Sequence, residues 1–461
     1  MVEMIQPTLD PPSDNYIQVD RTQNQPPEIM ARIFWHVSNG VVMLPPTKHR
    51  PYPWALSHVC SRWKQILWSF PELCESLIID HDPSGPRAVK NTRECLSYVL
   101  TNTKAPISMS IFCTDPEDLE ISDIILAHVR RFSNLDLFNV SQQLLFSLWN
   151  LPPGSFEQLE RIHVAFHPDD TNSQDDTISA FESGLKLRSV TYTANIPRYH
   201  RQMLHVPRST LSELYINIIP VPAYAVHDIL LSCTSLVKCS FTIGGTDTIP
   251  FKASATLPNI EELTLEVPDY FDWTGFFTPF RTPHLEHLSI SSHGYGPPTS
   301  MFTYLMLQLK GPLRYLSVYF PEDSGDDIDH IDIGPLLEGL PSLTTLRLRA
   351  WIIPPFVFRN LQTGSLRMPA IANLCVSPNG LEAFLDFIDW YIQRRPPSQP
   401  SLEDILIRCY DAPGYSQVEK HYILGYDKYT SIKGLRLNVE DALTNRRITP
   451  GSRRKEMRLR V

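Results

Sequence analysis

The chain has 461 residues, of which 42% are hydrophobic and 20% charged, with a formal net charge of −9. This acidic balance argues against nucleic-acid binding, which depends on lysine and arginine at phosphates. The sequence contains no apolar run of about 18 residues, which argues against a membrane-spanning helix. Forty-one prolines against nineteen glycines favour many short elements that end at X-Pro turns.

The first segment, residues 1–24, has neither a basic start nor a continuous apolar stretch. We therefore predict a disordered leader and not a secretory signal. The eight cysteines are dispersed, without a CxxC pair. In a chain without an export signal such thiols are expected to be buried and reduced, so we expect a cytoplasmic or nuclear protein.

Residues 25–80 are predicted to form a small all-α module. A first helix begins at Pro26-Pro27, a pair suited to the first helical turn, and carries an apolar stripe of Ile29, Ile33 and Val37 flanked by Met30 and Phe34. A second helix is predicted over WALSHVCSRWKQILW, residues 54–68, with its apolar residues within an arc of about 120°. Phe70-Pro71 ends this helix, and ESLIID is predicted to be the first strand.

The apolar surface of these helices exceeds what a two-sided helix needs, so it predicts a partner. From the residues alone, that partner is either the open end of the following repeat array, which the helices would cap, or another protein. Both interpretations stay open at this point.

The module resembles the F-box-like domain of many fungal proteins over about 55 residues. The resemblance is carried by the run PPEI…IF, then L-x-x-VC-x-x-W-x-x-I, then P-x-L…S-L, with Gln25 and Cys74 standing where the family usually has leucine and tryptophan. It implies docking on a Skp-type adaptor of a cullin–RING ubiquitin ligase, with apolar helix positions entering a groove. The adaptor-binding residues that it implies are Pro26, Pro27, Ile29, Ile33, Phe34, Leu56, Val59 and Trp63. Some of them must instead build the module's own core, and the sequence does not separate the two groups.

Internal periodicity dominates the rest of the chain. The pattern apolar-x-x-apolar-x-apolar recurs twelve times, and successive first anchors are 24 to 31 residues apart. The alternation within each copy predicts a short strand with one buried face. The first anchors are Leu135, Leu159, Leu187, Leu211, Leu236, Ile260, Leu285, Leu313, Leu343, Ile371, Leu402 and Ile432.

Helices are predicted between several strands, over 222–231, 297–310 and 380–395. Strands separated by helices at this spacing pack in parallel with right-handed crossovers. The predicted fold class is therefore α/β, a curved parallel sheet with outer helices over residues 81–445, preceded by the all-α module. The pattern resembles leucine-rich repeats over about residues 130–440. The Asn or Cys that usually follows the strand is mostly absent, as at Ile219.

Two charged segments stand apart from the repeats. Residues 446–461 are strongly basic and are predicted to be a solvated tail, with a nuclear-import or anion-binding patch as the alternative. Residues 322–332 are acidic but lack the spacing of a calcium loop. We interpret them as an insertion between repeats, with a contact to a basic substrate as the alternative.

No nucleophile, phosphate-binding or dinucleotide motif occurs in the sequence. His284, His287 and His293 bracket one strand, and no cysteine lies near them to complete a ligand set, so we interpret them as strand and turn residues. We therefore predict no catalytic residues, no metal site and no cofactor.

The resemblance implies a substrate-recognition subunit of a Skp/cullin/F-box ubiquitin ligase, with the repeats holding a protein substrate. The alternative is a leucine-rich-repeat interaction scaffold with a vestigial F-box and no role in ubiquitylation. Which residues would bind the substrate stays open. They would come from the polar strand positions, such as Glu213, Tyr215, Glu262, Thr264, Thr345 and Arg347.

Overall fold

The fold is taken from a computed structural model. The structure describes residues 21–44, 53–81, 86–113, 119–165, 181, 184–193, 207–244, 255–257, 259–268, 271, 273–277, 280–292, 313–319, 339–353, 359–360, 362, 373–378, 386–390, 393, 404–409, 436–441 and 446–448. Residues 1–20 of the predicted leader, the acidic insertion at 322–332 and the helix predicted at 297–310 lie outside these residues. The prediction that disorder extends to residue 24 is wrong, because Arg21–Asn24 form a 3-10 turn. The chain divides into two compact units, Met1–Ile111 and Phe112–Val461. The first unit thus extends past residue 80, the predicted end of the module.

The first unit combines helices with a sheet whose strand order is β1-β2-β3. Short 3-10 turns at Arg21–Asn24 and Pro71–Leu73 accompany the longer elements. These are α1 (Pro27–Ser38), β1 (Val41–Leu44), α2 (Trp54–Ser57), α3 (Ser61–Ser69), β2 (Ser76–His81), α4 (Pro86–Asn102) and β3 (Ile107–Cys113).

Helix α1 begins and ends at residues with a local reason for doing so. Pro27 occupies its first turn, as predicted, where the missing N–H costs nothing. At the other end Asn39 is left-handed, with φ 52°, and its N–H bonds to the Trp35 carbonyl. Gly40 follows with φ 69°. These two residues turn the chain from α1 into β1.

Gly40→Ala should lower the free energy of unfolding of the first unit by about 2 kcal/mol. A Cβ at this position would lie 2.7 Å from the Glu72 carbonyl oxygen and 3.3 Å from the Trp35 indole nitrogen. The positive φ adds backbone strain for any L side chain. Urea denaturation measures the loss. Gly184→Ala is the control, because φ is ordinary there and the nearest backbone atom would be 3.2 Å from the new Cβ. An equal loss of stability in Gly184→Ala would contradict the explanation by positive φ and close backbone contact at Gly40.

The prediction of one helix over 54–68 is wrong. The chain forms α2 and α3 with a break at Cys60, whose backbone is extended at φ −160° and ψ 167°. A continuous helix would separate Trp54 from Trp68 by about 21 Å along its axis, whereas their ring centroids lie 6.1 Å apart. The break brings these indoles together beside Tyr98, and it removes the common face predicted for Leu56, Val59 and Trp63.

The prediction that residues 25–80 are all-α is also wrong, because β1 lies within them. This strand pairs in parallel with β2, Val41 opposite Ser76 and Leu44 opposite Ile79. Val42 and Leu44 are buried, while Val41 and Met43 are half-buried. ESLIID therefore supplies the second strand and not the first. The only sequence feature that could have indicated β1 is the apolar run VVML after the Asn39-Gly40 turn. Four residues are too few to show the alternation of a strand.

The second unit repeats a strand along most of its length. Its helices are α5 (Leu119–His128), α6 (Gln142–Trp149), α7 (Ala223–Ser232) and α8 (Trp273–Phe277). Its strands are β4 (Phe132–Phe138), β5 (Arg161–Ala165), β6 (Ser189–Thr193), β7 (Glu213–Pro222), β8 (Lys238–Gly244), β9 (Ala255–Thr256), β10 (Glu262–Val267), β11 (Phe280–Arg281), β12 (His287–Ser292), β13 (Tyr315–Tyr319), β14 (Thr345–Ile353), β15 (Asn373–Pro378), β16 (Asp404–Cys409), β17 (Arg436–Asp441) and β18 (Arg446–Ile448).

The predicted α/β class with a mostly parallel sheet is confirmed. Strands from β4 to β17 lie in chain order, except that β9 and β11 form a separate parallel pair. From β4 to β17 the neighbours in the main sheet run parallel, and β18 pairs antiparallel with β17. Because β18 takes up residues 446–448, the predicted solvated tail does not begin at residue 446.

The strand register reproduces the repeat and corrects its two ends. Buried strand residues face each other from strand to strand, as Leu263 does with Cys239 and Leu288. At the first repeat Leu135 pairs with Ile162, so the anchor is Phe132 and not Leu135. At the last, Leu437 pairs with Ile405, the second apolar position of its copy, so Leu437 does not hold the third position predicted for it. In both cases only strand pairing fixes the frame.

Buried anchors and crossover helices close the other face of this sheet. The described anchors are at most 2% exposed: Phe132, Leu159, Leu187, Leu211, Leu236, Ile260, Leu285, Leu313 and Leu343. The helix predicted over 222–231 is confirmed as α7, which packs on β7 and β8. Residues 386–390 within the predicted 380–395 helix are helical.

Thiols in the described part of the chain are free at Cys60, Cys74, Cys95, Cys233 and Cys239. Burial raises the pKa of Cys74 to about 12 and raises that of Cys239 further. Both thiols are therefore neutral side chains of the core at physiological pH. No helix among the described residues is both long enough and apolar enough to span a bilayer.

Candidate protein-interaction surfaces

Helix α1 carries apolar residues on two faces that the structure separates. Met30, Ala31 and Phe34 are buried, with Phe34 only 1% exposed. On the other face Ile29, Ile33 and Val37 are 43%, 49% and 68% exposed. We call these three residues the α1 stripe. They recur every fourth position, so they lie on one side of the helix.

Phe34 belongs to the core of the first unit. Its ring centroid lies 4.9 Å from that of Trp63 on α3, with the planes tilted by 54°, a geometry favourable for aromatic pairs. This corrects the prediction that placed Phe34 among the adaptor-binding residues. A docking partner would reach the α1 stripe without reaching this ring.

Trp63 and Arg62 hold the segment in front of α1. The Trp63 indole N–H donates to the Thr22 hydroxyl at 3.0 Å. The Arg62 guanidinium donates to the carbonyl oxygens of Thr22, at 3.3 Å, and of Gln25. The half-buried Trp63 thus connects α3 to the start of α1, a positioning role that its spacing did not reveal.

The remaining predicted adaptor-binding residues divide by exposure. Pro26 and Pro27 are exposed beside the start of α1. Val59 is 55% exposed in the break between α2 and α3, and Leu56 is half-buried. Of the predicted adaptor-binding residues, the exposed ones are thus Pro26, Pro27, Ile29, Ile33 and Val59, and Trp35 and Val37 add exposed apolar surface on α1.

The second unit presents polar side chains on the open face of its sheet, opposite the buried anchors. All six polar strand positions named from the sequence (Glu213, Tyr215, Glu262, Thr264, Thr345 and Arg347) are half-buried or exposed, as the alternation predicted. Strand register aligns the polar side chains of neighbouring strands in rows across the sheet. One row, which we call the hydroxyl row, crosses β8, β10, β12 and β13 and consists of Ser240, Thr264, Ser289 and Ser317. Tyr215 precedes it on β7, and Arg347 follows it on β14.

Carboxylates dominate the part of this face that β7, β8 and β10 form. Glu213 and Glu262 lie near Tyr215, whose pKa is raised by partial burial and then by these two charges. The Lys238 ammonium is 3.9 Å from the Glu262 carboxylate, an exposed ion pair. Glu266 accepts a hydrogen bond from the Thr242 hydroxyl at 2.7 Å.

The part that β12, β13 and β14 form carries an arginine and aromatic rings. The His287 and Tyr315 rings stack with centroids 5.4 Å apart and planes at 13°. The Arg347 guanidinium carbon lies 5.4 Å from the centroid of the Tyr315 ring, within cation–π range. The stack leaves the exposed Arg347 able to donate hydrogen bonds to an acidic group.

A second aromatic group on the open face was missed from the sequence. Phe112 and Phe138 stack at 4.5 Å with planes at 7°, and His163 meets Phe138 edge-on. Burial lowers the pKa of His163, against the opposing effect of Asp136. The misplaced first anchor hid this group, because that frame assigned Phe138 to the buried face.

In the described residues, no three histidine, cysteine or acidic side chains come together to hold a metal ion. The geometry on both surfaces is that of contact groups: an exposed apolar stripe in one unit, and a charged hydroxyl-lined face in the other. No family model matches the chain, and no curated protein matches it.

Proposed function

We propose that the chain is the substrate-recognition subunit of a Skp/cullin-type ubiquitin ligase. In this proposal the α1 stripe docks on the adaptor, and divergent leucine-rich repeats hold a protein substrate on the open face. The chain supplies binding surfaces and no catalytic group or cofactor, and it acts in the cytoplasm or nucleus. Nucleic acid and membrane have no part in it.

The observation that carries the proposal is the exposure of the α1 stripe. Three branched apolar side chains stand in solvent on one side of a helix whose opposite side is already packed. Helix-in-groove recognition uses apolar residues at this helical spacing. A helix that only capped the sheet would have no need of a second apolar face.

A second candidate, an interaction scaffold without a role in ubiquitylation, is favoured by a different observation. Gln25 stands where the F-box-like family usually has leucine, it is exposed, and its carbonyl is held by Arg62. Strand β1, which directly follows the turn after α1, also pairs with β2 in a sheet. In this reading the α1 stripe binds a partner other than the adaptor.

Ile33→Asp is expected to weaken adaptor binding by at least about tenfold, because it places a charge in the middle of an apolar contact. Binding of the full chain to a purified Skp-type adaptor can be measured by interferometry. Ser97→Asp, at an exposed site on α4, introduces the same charge away from the stripe and should bind like wild type. If wild type fails to bind under conditions where other F-box proteins bind, the ligase proposal is lost.

A further inference from the structure

Strand register and side-chain length together outline a groove across the strands on the open face of the second unit. Its floor is the hydroxyl row, whose side chains are short. Longer side chains form a continuous wall on one side, namely Lys238, Glu262, His287 and Tyr315, which strand register aligns. Thr242, Glu266, Ser291 and Tyr319 are aligned by the same register on the other side. Although they lie on the open face, Ser240 and Ser317 are only 8% and 9% exposed.

The floor carries hydrogen-bonding capacity that the protein uses only in part. The Ser240 hydroxyl donates to the Asn217 side-chain oxygen at 2.7 Å. Thr264 and Ser289 lie in the same row and are half-buried. Their hydroxyls can therefore bond to a polar group that lies on the floor.

The two ends of the groove differ in charge. Around Tyr215 and the first half of the floor stand three carboxylates, Glu213, Glu262 and Glu266, against the single ammonium of Lys238. At the far end Arg347 lies on the His287–Tyr315 stack. A bound segment complementary to both ends must carry a basic group and an acidic group.

The spacing of the strands sets the separation of those groups. Glu262 and Glu266 are on β10 and Arg347 is on β14, three strand steps away. Adjacent strands are about 4.8 Å apart, which gives roughly 14 Å, or about four residues of an extended chain. We infer that the groove binds an extended polypeptide segment with a basic and an acidic side chain about four residues apart. The inference rests on the proposed function, since this segment would be the recognition element of the substrate.

Selection from a random peptide library tests the inference. Phage-displayed peptides of about nine residues, long enough to cross the groove, are selected on the immobilised full chain. We expect enriched sequences with Lys or Arg about four residues from Asp or Glu. Peptide affinities are then measured by fluorescence polarisation.

Charge reversal at each end provides the decisive comparison. Glu262→Lys and Arg347→Glu should each weaken an enriched peptide by about tenfold. Selection on Arg347→Glu should instead enrich peptides with basic residues at both positions. Glu261→Lys and Arg359→Glu reverse the same charges at exposed positions outside the groove and should leave affinity unchanged.

No enrichment, enrichment without the charge spacing, or the same consensus on Arg347→Glu would each overturn the inference. Failure of the ligase proposal gives a different result. The adaptor would not bind, while peptides would still bind the chain and would still respond to the charge reversals. Conversely, adaptor binding that depends on Ile33, together with charge-independent peptide binding, would reject the groove alone.

Discussion

Phe34→Ala is expected to lower the free energy of unfolding of the first unit by about 4 kcal/mol, the range seen when a buried aromatic side chain is deleted. Phe34 is 1% exposed, and its ring packs on Trp63. Deletion removes this pair and leaves a cavity between α1 and α3. Because Trp63 also bonds to Thr22, the segment before α1 should loosen as well.

The preceding position of the same helix supplies the control for this loss. Ile33 is equally apolar but 49% exposed, so Ile33→Ala should change stability by no more than about 0.5 kcal/mol. Urea denaturation followed by tryptophan fluorescence measures both variants. Equal losses at the two positions would show that α1 buries a different face from the one described.

Leu288→Ala in the second unit should cost about 3 kcal/mol. Leu288 is fully buried and stands in register between Leu263 on β10 and Leu316 on β13. A cavity at this site weakens the packing of three consecutive repeats. Since each repeat is stabilised mainly by its neighbours, we expect local opening as well as a lower midpoint.

Ser289 is the matched control for that substitution, because it follows Leu288 on the same strand and faces the open side. Ser289→Ala should leave the free energy of unfolding within about 0.5 kcal/mol of wild type. Amide hydrogen exchange can localise the effect, with faster exchange in β10, β12 and β13 expected only for Leu288→Ala. Faster exchange confined to the first unit would contradict this explanation.

The local sequence pattern was sufficient to predict those elements whose position depends on a single segment of the chain. Pro26-Pro27 indicated where α1 begins, and Pro222 preceded α7, because proline at a helix start acts through neighbouring backbone atoms. The repeats were found for a similar reason, since each strand alternates within about six residues and burial of one face requires it. From this pattern the α/β class and the open-face positions were predictable.

Contacts between distant segments decided the rest. The break at Cys60 allows Trp54 to pack on Trp68, a contact between residues that a continuous helix would hold apart. Phe34 is a core residue because Trp63, from another helix, covers it, while Ile33 one position earlier stays exposed. No periodicity within α1 distinguishes these two residues, since both belong to its apolar surface.

By itself the sequence determined the repeat, the buried anchors and the alternation of faces, because these follow from the period of a strand and the cost of exposing apolar side chains. Only the tertiary structure decided which face of α1 remains exposed and which frame applies at the two ends of the array. It also placed Arg347 next to Ser317 and on the Tyr315 ring. The physical reason is that strand pairing joins residues about thirty positions apart, a distance over which local pattern carries no information on register.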